Sequence, residues 1–304
     1  MIVETTRKEM KVCSDVIFKA IFLREKEILL KMIYDITDIS ETMHYEEVLT
    51  GYELEPYKVN GKVNKSDMLI KINNRYFINI EVNFKHQKNV LYRNMIQLFR
   101  ICGQVVESGM TDNELTLKKV GQLNFNTFSN SNNKVLERGY YTNEEGNVLN
   151  DLLNIWNIDI VKCYKKVYNN IEYVQKLPKT VRWGALLYAN IKDTEIIKKI
   201  IGDDLLTMEE CMRLVSRIGD VIDDKRIIQE WMVIENNRMR EKNVLETAKE
   251  DGLEQGIKQG IEQGIEQGIQ KSIINMLREG TKLDFISKVT GKSVEEIKKI
   301  EENL

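Results

Sequence analysis

The chain has 304 residues, enough for a substantial core, with 30% charged residues, only two prolines and a formal net charge of −2. This charge excludes a globally basic nucleic-acid binder, so any contact with nucleic acid must come from a local basic segment. Four cysteines without CxxC spacing, no apolar run of membrane-spanning length and no signal-peptide pattern predict a cytoplasmic protein without a zinc site, disulfides or membrane contact.

An amphipathic helix is predicted near the N-terminus, where either Ser14 or Asp15 is placed to cap the first turn. Apolar residues recur there at helical spacing, at Val16, Phe18, Ile21, Phe22, Ile28, Leu29, Met32 and Ile33. This stripe is expected to face the core.

A β-hairpin is predicted next, because two β-branched and aromatic runs, residues 68–72 and 76–82, flank Asn73 and Asn74. Its register has two solutions. A two-residue turn pairs Asp67 with Ile80 and sends Glu81 to the opposite face. A three-residue loop over residues 73–75 pairs Asp67 directly with Glu81.

The three-residue loop is favoured because it separates apolar from polar side chains. One face then carries Met68, Ile70, Ile72, Tyr76, Ile78, Ile80 and Val82. The other face carries Asp67, Lys71, Asn79, Glu81 and Asn83. Directly opposed carboxylates repel each other unless a cation lies between them, so the pair indicates a metal site. Oxygen ligands alone favour Mg²⁺, with Mn²⁺ as a second choice, over zinc.

The surroundings of this acidic pair are basic. Residues 58–100 contain nine Lys or Arg and only two acids, which are Asp67 and Glu81. Two carboxylates surrounded by positively charged residues are typical of a site that binds a metal ion and a phosphate group. One acid on each strand of a surface hairpin also occurs without any metal, and spacing by itself does not separate the two interpretations.

Residues 89–106 are predicted to form a helix whose inward side is Leu91, Met95, Leu98, Ile101, Cys102 and Val105. Arg93 on this helix is either a bidentate phosphate ligand or an ordinary surface arginine.

Two further strands are predicted at residues 120–128 and 149–161, separated by the polar stretch 129–134. Residues 164–239 then read as almost entirely helical, with a capping box at Thr207 and Glu210.

A four-residue repeat follows, in which each glycine precedes an apolar residue. The glycines are Gly252, Gly256, Gly260, Gly264 and Gly268. Five interior glycines cost an isolated helix roughly 5 kcal/mol relative to alanine, so a helix here needs a close partner. We expect parallel self-association into a homodimer through residues 252–269; a flexible linker is the alternative. Residues 272–304 favour a helical hairpin with a capping box at Ser293 and Glu296 over a helix-turn-helix.

The residues collected above resemble the PD-(D/E)XK nuclease superfamily, and within it the recombination-promoting nuclease and transposase group. The resemblance rests on Asp67, on the run Ile80-Glu81-Val82-Asn83, on residues 14–22 upstream and on residues 92–109 downstream. It implies an α/β, restriction-endonuclease-like mixed sheet flanked by helices over residues 1–165. A helical accessory region (166–245), the glycine-repeat helix (246–271) and the C-terminal hairpin (272–304) complete the expected organisation.

The resemblance also implies site residues. Asp67 and Glu81 match the two acids that bind the metal, and Asn83 occupies the position of the motif lysine. Asn83 forms hydrogen bonds but supplies no charge, so Lys71 or Lys85 is expected to stand in, with Lys71 preferred. Arg93 and Lys85 are expected to contact DNA phosphates, and Asp15 is expected near the metal as an accessory acid.

The expected function is that of a Mg²⁺-dependent DNA endonuclease whose cleavage of phosphodiester bonds promotes recombination or mobile-element activity. The alternative is an inactive nuclease fold that binds nucleic acid or a protein partner. The missing motif lysine is the feature that favours the alternative.

Overall fold

The computed structural model describes residues 10–37, 39, 45–50, 53–54, 64–65, 67–84, 89–105, 109–128 and 134–304. Two compact units divide between Val233 and Ile234. None of the helices within these ranges combines the length and the apolar character that a bilayer span requires.

A six-stranded mixed sheet is the centre of the first unit. Its strands are β1 (Tyr45–Thr50), β4 (Met68–Ile72), β5 (Tyr76–Asn83), β6 (Lys119–Asn126), β7 (Leu136–Thr142) and β8 (Val148–Asp159), in the order β1-β4-β5-β6-β8-β7. β5, β6 and β8 run parallel, and the other pairings are antiparallel. A separate two-stranded sheet joins β2 (Glu53–Leu54) to β3 (Asn64–Lys65). The predicted mixed α/β architecture is confirmed.

Eight α-helices are described in the chain up to residue 223. They are α1 (Asp15–Phe22), α2 (Lys26–Thr37), α3 (Val90–Val105), α4 (Asp112–Leu117), α5 (Ile160–Tyr168), α6 (Lys179–Tyr188), α7 (Thr194–Leu205) and α8 (Met208–Asp223), with a 3-10 helix at Ile171–Lys176. The single N-terminal helix expected from periodicity is two helices, because residues 23–25 leave the helical path. The capping box at Thr207 and Glu210 is confirmed.

The two faces of the sheet bury different cores. The apolar face predicted for the hairpin packs with α1, α2 and the helices after residue 160 in the main core. The opposite face forms a smaller cluster with α3, through Leu69, Leu98, Ile101, Val105 and Val120. Trp183, Ile197 and Trp231 belong to the same buried cluster as Ile70 and Ile80. The helical region therefore shares the core of the sheet, and the expected boundary at residue 165 does not divide compact units.

Other sequence expectations need correction. The strands expected at residues 120–128 and 149–161 run from Lys119 to Asn126 and from Val148 to Asp159. β7 was not predicted, because this edge strand is exposed along much of its length and shows no apolar alternation. Met95 was expected to face inward, but its side chain is 43% exposed.

The second unit begins within a long helix, α9 (Lys225–Arg278), which α10 (Leu283–Thr290) and α11 (Val294–Glu301) follow. Ile273, Ile286 and Ile297 form its buried core, and Gly291 ends α10 with a φ of 71°. The capping box at Ser293 and Glu296 is confirmed.

The glycine repeat is helical throughout. A Cβ added at any of its five glycines would meet no atom within 4 Å. Four apolar residues of the repeat, Leu253, Ile257, Ile261 and Ile265, are 55–64% exposed. The apolar stripe predicted from the sequence is therefore present on the surface of one helix. Self-association through this stripe remains a prediction.

The contact between α5 and α6 provides a stability test. A Cβ at Gly184 would lie 2.6 Å from Cys163 Sγ and 2.9 Å from Cys163 Cβ. We expect Gly184→Ala to lower the free energy of unfolding by about 2 kcal/mol, because the two helices must separate to admit the methyl group. Urea denaturation followed by circular dichroism measures the change.

Gly219→Ala is the matched control. Gly219 lies in α8 with no atom within 4 Å of an added Cβ. Alanine there should raise the free energy of unfolding by about 0.5–1 kcal/mol through helix propensity. Equal effects of the two substitutions would contradict the proposed close packing at Gly184.

Candidate functional site

The hairpin register places Asp67 opposite Glu81. Met68 pairs with Ile80 and Ile72 with Tyr76, so the residue before Met68 faces the residue after Ile80. The connection is the three-residue loop, and its Asn73 and Asn74 have φ values of 53° and 50°. Of the two registers that the sequence allowed, the structure has the one that brings both acids to the same face.

Backbone and amide groups hold the two carboxyl groups. Glu81 Oε1 accepts hydrogen bonds from the Asp67 backbone N–H at 3.2 Å, from Asn79 Nδ2 at 3.3 Å and from Gln97 Nε2 at 3.2 Å. Asp67 Oδ2 accepts one from the Val82 backbone N–H at 3.1 Å. Each of the two carboxyl groups therefore accepts a hydrogen bond from a backbone N–H on the other side of the hairpin.

Burial changes the charge state of this pair. Glu81 is 5% exposed, and burial, followed by the negative charge of Asp67, raises its pKa to about 8. Burial and the negative charge of Asp15 raise the pKa of Asp67. With a pKa of about 8, Glu81 keeps its proton at neutral pH, and a nearby cation would favour its ionised form.

Helix α1 contributes a third acid and a lysine. Ser14 is the N-cap residue and makes no side-chain capping bond, and Asp15 is the first helical residue. Asp15 forms an ion pair with Lys19 at 2.7 Å. The charge of Asp15 raises the pKa of Asp67 and the charge of Lys19 lowers it, so both side chains act on the site.

Arg93 and Asn83 form the other edge of the site. Arg93 Nη2 donates to Asn83 Oδ1 at 3.0 Å, and Asn83 Nδ2 donates to Asn126 Oδ1 at 2.9 Å. Asn83 is buried, whereas Arg93 is exposed to solvent. The positive charge of Arg93 also lowers the pKa of Glu81. The side-chain amide of Asn83, at the position of the motif lysine, is thus held by Arg93 on one side and by Asn126 of the neighbouring strand on the other.

Lys71 is not brought to the acids. It lies four residues along β4 from Asp67, which at 3.3 Å per residue is about 13 Å. Its ammonium nitrogen lies 5.9 Å from the centre of the Phe77 ring. Lys85, the other lysine named from the sequence, falls outside the described residues. The nearby cations that the structure describes are Lys19 and Arg93.

A chain of buried amides continues from the acids across the sheet. Asn79 Nδ2 donates to Gln122 Oε1 at 2.8 Å, and Gln122 Nε2 donates to Asn124 Oδ1 at 2.9 Å. Asn124 also accepts from Asn94 Nδ2 at 2.9 Å and donates to Asn157 Oδ1 at 2.8 Å. This amide ladder joins β5, β6, β8 and α3 beside the carboxyl groups.

Local sequence patterns did not identify Gln97 or the amide ladder beyond Asn79 as parts of the site, although one signal was present. Gln122, Asn124 and Asn126 occupy every second position of β6 and are all buried. Such alternation places polar groups on one face of the sheet. The amides and acids lie toward the carboxyl ends of the parallel strands, the edge where open α/β sheets commonly bind ligands.

The donor set fits a hard divalent cation with few protein ligands. Among the described residues there is no cluster of three or more His, Cys, Asp or Glu placed to hold a metal. Two carboxylates are nevertheless sufficient for Mg²⁺, which usually keeps several waters and takes further ligands from a substrate phosphate.

Comparisons of the chain with protein-family models, with curated proteins and with solved structures found no match.

The raised pKa of Glu81 predicts how stability changes with pH. Between an ordinary glutamate pKa of 4.5 and about 8, the folded state holds a proton that the unfolded state has lost. The free energy of unfolding should therefore fall as pH rises through this window, by on the order of 5 kcal/mol. Urea titrations at a series of pH values measure this slope.

Glu81→Gln should flatten that slope and raise stability at pH 8, because the amide keeps the shape of the side chain without the charge. Mn²⁺ should stabilise the native chain at pH 8 and should not stabilise Glu81→Gln. Equal slopes in the two proteins would show that Glu81 titrates normally.

Proposed function

We propose that this protein is a metal-dependent DNA endonuclease with a restriction-endonuclease-like core. The observation that carries the proposal is the directly opposed pair of half-buried Asp67 and buried Glu81, with Lys19 and Arg93 acting electrostatically on it. Buried acids that repel each other are unfavourable unless a cation or a function compensates. The mixed α/β sheet and the position of the pair near the carboxyl ends of its parallel strands support the same conclusion.

Asp67 and Glu81 would hold Mg²⁺, for which Mn²⁺ could substitute. Such an ion would supply polarisation of the phosphoryl oxygen and activation of the attacking water. Glu81 is kept in position by Asn79 and Gln97, so its carboxylate need not reorganise during the reaction. Asp67 is kept in position by the Val82 backbone N–H.

The cations around the pair bind the phosphate. Arg93 uses one of its nitrogens on Asn83, and its fork geometry leaves further N–H groups able to bind a nonbridging phosphate oxygen. Lys19 lies in the field of Asp67 and helps to neutralise the charge that develops on the phosphate. Asn83 then acts by orienting Arg93, and the charge that a motif lysine would supply comes from Lys19.

Cleavage by such a site generates the DNA ends from which recombination or mobile-element transfer begins. Copies of the chain associate through the glycine repeat. The exposed stripe from Leu253 to Ile265 is apolar, and the glycines allow close approach of a second helix. Two sites in one assembly suit cleavage of both strands of a duplex.

An inactive nuclease fold that binds nucleic acid or protein is the second candidate function. The observation that favours it is Asn83, whose amide is engaged on both sides and carries no charge. The two functions differ in their need for metal, because a binding module does not depend on Asp67.

Cleavage of supercoiled plasmid tests the proposed function. We expect nicking with Mg²⁺ or Mn²⁺ and none with EDTA. Asp67→Asn and Glu81→Gln should each lower the rate by roughly 1,000-fold or more, because the metal loses a charged ligand. Metal-dependent nicking that survives both substitutions would place the activity elsewhere, and complete inactivity of the native chain on DNA would favour the binding module.

The role of the lysines is tested by a matched pair of variants. Lys19→Gln should lower the cleavage rate by roughly 100-fold, because it removes a charge close to Asp67. Lys71→Gln should change the rate by less than about 3-fold, since Lys71 lies about 13 Å along the strand from Asp67. A larger loss in Lys71→Gln than in Lys19→Gln would restore the role expected for Lys71 from the sequence.

A further inference from the structure

An apolar groove of about 340 Å³ lies between α3 and the strands β7 and β8. Met95 and Phe99 line one wall, Tyr140 and Tyr141 line the other, and Leu153 contributes to its lining. The four residues of the walls are 43–56% exposed. Aromatic and methionine side chains thus face solvent together on one side of the sheet.

The solvent side of α3 extends this apolar surface. Tyr92, Ile96 and Phe99 follow the i, i+4, i+7 spacing of one helix face and are 72%, 47% and 54% exposed. The opposite side of the same helix is already packed on the sheet through Leu98 and Ile101. We call Tyr92, Met95, Ile96, Phe99, Tyr140 and Tyr141 the groove face.

The two walls of the groove face carry opposite charge. Helix α3 contains Arg93 and Arg100 and no acid. Residues 139–159, which include the β7–β8 turn, contain four acids and no Lys or Arg, and Glu144 and Glu145 are exposed in that turn. A surface that is basic along one wall and acidic along the other is complementary to itself after a two-fold rotation.

We propose that the groove face binds the groove face of a second copy of this chain. In the two-fold contact, α3 of one copy enters the groove of the other, and Arg100 lies against the partner's acidic turn. The six side chains expose on the order of 700 Å², close to the roughly 800 Å² per partner of a standard protein interface. Four of the six are aromatic and a fifth is Met, residue types that are enriched in the cores of protein interfaces.

Nucleic acid fits this surface less well. Leu153 and Ile155 lie two to four residues before Asn157 on β8, so the groove is displaced along the strand from the amide ladder that borders the acids. The acidic wall also repels phosphate. The groove face is therefore assigned to the association of two copies of the chain. This assignment depends neither on the proposed endonuclease activity nor on the glycine repeat.

The test uses the full chain with Ile257→Gln, Ile261→Gln and Ile265→Gln, which replace three of the four exposed apolar residues of the repeat. Sedimentation velocity up to roughly 100 µM should show a dimer of this variant. Adding Ile96→Glu should weaken dimerisation by at least about 100-fold, because the buried charge lacks a partner. Tyr141→Glu on the other wall should act in the same way. Met208→Glu, at an exposed position on α8, should have no effect.

Charge reversal checks the orientation of the two copies. Arg100→Glu alone should weaken the dimer by roughly 10-fold, and combining it with Glu144→Lys and Glu145→Lys should restore the affinity. A monomer at every concentration, or a dimer that Ile96→Glu and Tyr141→Glu leave intact, would overturn the proposal. Failure of the triple reversal to restore affinity would overturn the two-fold arrangement. Circular dichroism of each variant establishes that it is folded.

Discussion

The direct opposition of Asp67 and Glu81 is the constraint on which the candidate site depends. It follows from a single choice, the three-residue loop after Ile72, because a shift of one residue would move Glu81 to the apolar face. The same register that opposes the acids also buries Ile70, Ile78 and Ile80 in the main core. Burial of the apolar face therefore holds two carboxyl groups close together, and the raised pKa of Glu81 is the consequence.

The groups around the pair are mostly neutral amides, and this choice matters physically. Asn79 and Gln97 donate to Glu81 without adding charge, so they orient the carboxylate while its pKa stays raised. Positive charge is supplied at the edges, by Lys19 on one helix and Arg93 on another. Such an arrangement orients the acids in advance and leaves their charge to be compensated by a cation.

Helix α3 connects the site to the rest of the surface. Its inner side is polar beside the acids, through Asn94 and Gln97, and apolar further along, through Leu98 and Ile101. Its outer side presents a second apolar stripe beside the groove. The orientation of Arg93 and Gln97 thus depends on packing that also positions the groove face, so association of two copies would place a neighbour against the helix that carries both residues.

Local patterns in the sequence determined much of this protein. Alternation in the hairpin, the asparagines at its turn, the helical periodicity around Ile101, the capping boxes at Thr207 and Ser293 and the helical glycine repeat all depend on neighbours along the chain. The sequence also marked Asp67 and Glu81, because they are the only acids in a basic segment. Tertiary structure decided which distant segments come together. The charge of Lys19 acts on Asp67, Gln97 donates a hydrogen bond to Glu81, and Lys71 lies away from both acids. The helices around Trp183 and Trp231 share the core of the sheet. These relations depend on how elements pack in space, so local patterns in the sequence do not contain them.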